Sequence, residues 1–148
     1  MEKEFIRVRS VKDIAVFTSI VVLGCVLVAL PSNTAVNLTG FFLIVTGIIL
    51  SLVMKNGYKD SETGEIYYKK EYYFNQSMHL PVSSVIASKP NNVDLSEKDK
   101  GSSVRLDVYY GKTSGKAYIQ LFEYIPYKYE PCSRMYEHEV FNVSELIK

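Results

Sequence analysis

From Ile14 to Met54 the chain carries no Asp, Glu, Lys or Arg. A run of about 20 apolar residues suffices to cross a bilayer, and this run is about twice that length. Pro31-Ser32-Asn33-Thr34, a cluster of turn formers, breaks it near its middle. The pattern predicts two membrane-spanning helices, roughly residues 13–30 and 34–54. A buried hairpin in a water-soluble domain would need far more surrounding protein than 148 residues supply.

The rest of the chain has the opposite character. Lys55 to Lys148 holds thirteen basic and thirteen acidic residues and all twelve tyrosines. The expected organisation is a cytoplasmic N-terminal segment (1–12), a transmembrane hairpin (13–54) and a small cytoplasmic α+β domain (55–148) with an antiparallel sheet. Basic residues flank both spans: Lys3, Arg7, Arg9 and Lys12 before the first, and Lys55, Lys59, Lys69 and Lys70 after the second. The turn between the spans has none, so positive charge places both termini in the cytoplasm, as in a bacterial inner membrane.

Val22-Leu23-Gly24-Cys25 fits a loose lipobox, but Val26 to Leu30 continue the apolar run, so lipidation of Cys25 is not expected. Cys25 and Cys132, the only cysteines, fall in different compartments, which excludes a disulfide between them. Lipid provides no hydrophobic drive for helix pairing, so small residues mark the seams. In the first helix Ala15, Thr18 and Cys25 share a stripe; in the second Gly40, Gly47 and Ser51 do. Either stripe serves the hairpin itself or the assembly of copies into a homo-oligomer. No ionisable group lies in the middle of either span, which disfavours a transporter or channel.

In the tail, EIYYKKEYYF (Glu65 to Phe74) reads with a period of two. Ile66, Tyr68, Tyr72 and Phe74 are expected in the core, with Tyr67, Lys69 and Tyr73 outside. Val104, Leu106, Val108 and Tyr110 alternate with Arg105, Asp107 and Tyr109 in a second strand. Gly111 to Gly115 reads as a hairpin loop. Lys116 to Ile125 is apolar on both faces and is expected to be central or covered. Ser133 is expected to cap a last helix with Tyr136, Val140, Val143 and Ile147 on one face. Met78 to Pro90 fits helix or strand, and Asn91 to Ser103 reads as an exposed loop.

Signals for chemistry are sparse. Cys132 and His138 lack the paired spacing of a metal site, and no nucleophile elbow or phosphate loop is present, so no catalytic residue, metal or cofactor is expected. The charge-balanced tail, with Lys69 and Lys70 on opposite strand faces, argues against nucleic acid. What remains is a non-enzymatic membrane protein whose domain binds a protein partner or the inner leaflet. The alternative is an accessory subunit of a membrane enzyme or transport complex. Lys55, Tyr58, Lys59, Tyr67, Lys69 and Tyr73 are the candidate contacts.

Overall fold

A computed structural model describes residues 3–148. It has two units: Arg7–Gly57, and the N-terminal residues through Ile6 together with Tyr58–Lys148.

The first unit is a helical hairpin. Helix α1 spans Val11–Ala29 and α2 spans Thr34–Val53, both long and apolar enough to cross a membrane. Ser10 and Asp13 form a capping box at the start of α1. Asp13 does more than cap. Its Oδ2 accepts the backbone N–H of Ser10 at 2.8 Å and that of Asn56 at 2.9 Å, while its Oδ1 accepts from the Asn56 side chain at 2.7 Å. One buried carboxylate thus ties the entry of α1 to the exit of α2. At the other end Asn33 caps α2 by accepting the N–H of Val36.

The second unit is built on a sheet of seven strands among the described residues, in the order β1 (Phe5–Val8), β2 (Gly57–Asp60), β3 (Ile66–Phe74), β4 (Val104–Gly111), β5 (Lys116–Ile125), β6 (Lys128–Pro131). Strand β7 (Tyr136–Glu139) pairs with the first half of β5, whose last half pairs with β6. The pairs from β2 to β7 are antiparallel. Two long apolar helices followed by a small antiparallel-sheet domain is therefore the architecture. The polar turn between β2 and β3 closes with Gly64 at φ +73°, and Gly115 at φ +68° ends the β4–β5 loop. Both are conformations that glycine adopts without strain.

Phe74, Val104, Leu106, Val108, Ile119 and Leu121 face the main core, which α3 (His79–Ile86) covers with Val82 and Ile86. Helix α4 (Ser144–Ile147) adds Leu146. Met78 to Pro90 is thus mainly helix. Two short 3-10 turns, Pro90–Asn92 and Leu95–Glu97, open the stretch from Asn91 to Ser103, and Val93 between them is buried.

The helix expected after Ser133 is absent, because that serine is used elsewhere. Its Oγ accepts the backbone N–H of Leu121 on β5 at 2.9 Å. The free edge at the start of β5 takes 136–139 as a strand, and a 3-10 turn, Val140–Val143, follows. Tyr136, Val140, Val143 and Ile147 still pack on the core. Their spacing marks burial, but not helix.

Candidate functional site

The sheet face opposite the main core carries aromatic rings and charge. Register brings Lys69, Tyr109 and Tyr118 into one row, Glu71, Asp107 and Gln120 into the next, and Tyr73, Arg105 and Phe122 into a third. Period-two alternation puts all of them on this face.

The N-terminal segment covers one end of it. The ring of Phe5 stacks on Tyr109, with centroids 4.3 Å apart and planes 7° from parallel, and meets Tyr67 edge-on at 5.3 Å. Tyr67 is only 1% exposed. Its phenol donates to Glu65 at 3.2 Å, and burial pushes its pKa up to about 12. The expected split of EIYYKKEYYF therefore changes: Tyr67 lies in a second, aromatic core, while Ile66, assigned to the core, is exposed. Tyr67 offers no surface to a partner.

Beside Phe5, Lys3 bridges two buried groups. Its ammonium is 2.8 Å from Asp60 Oδ2 and donates to the Tyr118 hydroxyl at 2.7 Å. Burial works against the Lys3 charge, but the bonds to Asp60 and Tyr118 hold its pKa above the ordinary lysine value. Burial likewise opposes ionisation of Asp60, yet Lys3, the N–H of Glu62 and the hydroxyl of Thr63 lower its pKa to about 2. A polar hollow of about 320 Å³ opens here, lined by Lys3, Glu62, Lys116, Tyr118, Met135 and Glu137. Its two lysines are already paired, since Lys116 lies 2.6 Å from Glu137.

Lys69 is drawn into a charge cluster. Its Nζ is 2.8 Å from Asp107 Oδ2 and 2.5 Å from Glu71, and Arg105 Nε lies 2.8 Å from Asp107 Oδ1. Burial alone would lower the Lys69 pKa, but Asp107 and then Glu71 outweigh it and keep the ammonium charged. Lys69 is thus a structural cation more than an available contact. Tyr73 is half-buried, donating to Glu71 at 2.8 Å. Tyr58, also half-buried, meets Tyr109 edge-on at 5.3 Å. Lys55 and Lys59 are exposed.

In the hairpin, Gly40 and Gly47 are buried as seam residues, and their counterpart in α1 is Gly24. A Cβ on Gly24 would stand 2.7 Å from the carbonyl oxygen of Gly40, and one on Gly47 would stand 2.4 Å from Val21 Cγ2. Ser51 is half-buried and donates to the Ile48 carbonyl at 2.7 Å. Ala15, Thr18 and Cys25 are exposed, Thr18 bordering a shallow apolar groove with Gly47 and Ser51. The signal for Gly24 lay in its cost, since a glycine within a helix loses about 1 kcal/mol against alanine and calls for a packing reason.

Cys132 follows the last residue of β6, whereas His138 lies within β7 opposite Ala117. His138 Nε2 is 2.7 Å from the carbonyl oxygen of Ile86, and the Cys132 thiol pKa is raised by burial and by Glu123. Among the described residues no three His, Cys, Asp or Glu side chains gather as a metal site. Sequence reasoning missed Phe5 and the strand it begins, although Ile6 and Val8 alternate with Arg7 and Arg9, a strand signal. Comparison with known proteins found no matching family model, and no curated protein or solved structure similar to the chain.

Proposed function

We propose that this is a two-pass protein of a bacterial inner membrane, with α1 and α2 crossing the bilayer and both termini in the cytoplasm. Its sheet domain is a non-enzymatic module that binds at the inner face of that membrane, to a protein partner or to the leaflet itself. One observation supports this most. Apolar side chains are exposed all along both helices, from Ile14 and Val16 to Leu52 and Val53, and only Asp13, Gly24, Gly40 and Gly47 are buried. In water that surface would be an aggregation liability, whereas in lipid it is the ordinary exterior.

Orientation rests on charge. The uncharged connection Leu30 to Asn33 is cheap to translocate, and the lysines and arginines outside both spans are not. Asp13 suits this reading, because its capping bonds satisfy the acid at the beginning of α1 and keep it off the apolar stretch. Among the surface candidates, Lys55 and Lys59 follow α2 closely and suit headgroup contact, at about 1 kcal/mol each on an anionic leaflet. Alkaline carbonate extraction tests the reading. The chain should stay in the membrane pellet, and its release into the supernatant would refute insertion.

A further inference from the structure

Within the helical hairpin, Asp13 fixes where two cations stand. Its Oδ2 receives the backbone N–H of Ser10 at 2.8 Å and that of Asn56 at 2.9 Å. Those two nitrogens follow directly on Arg9 and Lys55. Standard bond lengths then bring the Cα atoms of Arg9 and Lys55 within about 11 Å of each other. Each residue stands two positions outside a helix, Arg9 before Val11 of α1 and Lys55 after Val53 of α2. The clamp therefore sets the two side by side, where the hairpin begins and ends.

Both are exposed, and among the described residues neither has an ion-pair partner. From Arg7 to Gly57 the charged residues are Arg7, Arg9, Lys12 and Lys55 against Asp13 alone, and all lie at this end. The single acid is buried and holds three N–H donors, so the exposed charge of this end is positive. The opposite end, Leu30 to Asn33, has no charge at all.

We propose that Arg9 and Lys55 form one binding site for an anionic phospholipid, holding its phosphodiester between a guanidinium and an ammonium. This site presupposes the membrane hairpin proposed above and names the lipid that its inner end selects. Arginine offers paired N–H donors that match two phosphate oxygens, and lysine adds a point charge. A zwitterionic lipid brings its own cation to the phosphate, so the site prefers a headgroup of net negative charge. The occupant is a lipid, because both cations stand within two residues of an apolar span and so at headgroup depth.

The chain has no tryptophan, so one substitution installs a unique fluorophore. Leu52→Trp reports on the lipid near Lys55, and Leu30→Trp on the lipid at the uncharged end; both positions are exposed. The full chain carrying either one is reconstituted in phosphatidylcholine vesicles. A small share of the lipid is phosphatidylcholine or phosphatidylglycerol brominated in its acyl chains. At Leu52→Trp, brominated phosphatidylglycerol should quench like at least about five times as much brominated phosphatidylcholine, the factor that one juxtamembrane cation supplies. At Leu30→Trp the two lipids should quench alike. Combining Arg9→Gln and Lys55→Gln should erase the preference. Asp13→Ala should weaken it, although that change makes the hairpin more positive.

Equal quenching by the two lipids at Leu52→Trp would overturn the site and leave the hairpin standing. Absence of quenching at both reporters would overturn the hairpin, and the site with it. A preference that survives the paired Gln substitutions would overturn Arg9 and Lys55 as its source. One that holds or rises in Asp13→Ala would overturn the clamped geometry and leave only diffuse charge. The same preference at Leu30→Trp would overturn its placement at this end.

Discussion

Gly24 and Gly40 meet backbone to backbone: a Cβ on the first would stand 2.7 Å from the carbonyl oxygen of the second, and one on the second 2.8 Å from that of the first. No side chain can yield to relieve such a contact. Gly40→Leu should therefore separate the helices, at a cost of about 2–3 kcal/mol. Thermal unfolding of the detergent-solubilised chain should report the loss. Ala15→Leu, on an exposed position, should leave that transition in place. If Ala15→Leu also abolishes chemical crosslinking between copies, its stripe serves assembly.

The N-terminal strand should act as part of the sheet domain. Phe5 caps an aromatic cluster of Tyr67, Tyr109 and Tyr118, so Phe5→Ala removes one stacked and one edge-on partner. The expected cost is about 2 kcal/mol, less than for a fully buried ring because Phe5 is half-buried. Protease sensitivity of the tail should rise correspondingly. An unchanged tail would mean that the N-terminal segment is a passenger.

Much of this was legible from periodicity. The two apolar helices, the alternation of β4 and the covered β5 follow from spacing alone. What was not legible came from distant partners. Tyr67 and Tyr68 are adjacent aromatics, and nothing local says which one is buried; Phe5, far away in sequence, decides it by covering the Tyr67 face. Ser133 has the form of a helix cap, yet its hydroxyl completes β5 instead. Gly24 was hidden within an apolar run, and its role becomes visible only when Gly40 lies against it. At the candidate contact site, Lys69 and Tyr67 were drawn inward by partners that sequence could not place.

Acid should loosen the tail through Asp60. Its pKa is lowered to about 2 in the fold, below the ordinary carboxylate value, so the ionised form contributes stability at neutral pH. That contribution is complete above about pH 5 and is lost as pH falls toward 2. After allowance for solvent screening it amounts to about 1–2 kcal/mol. Asp60→Asn should cost a similar amount at pH 7 and little at pH 2. A variant with the same acid profile as the wild type would exclude Asp60 as its source.

Paired reporter fusions test the membrane topology most directly. One reporter pair, active only in the cytoplasm or only outside it, is joined after Lys148 and, in a second series, inserted after Ser32. A cytoplasmic signal is expected at Lys148 and an external signal at Ser32. An external signal at Lys148, or a cytoplasmic one at both positions, would contradict it.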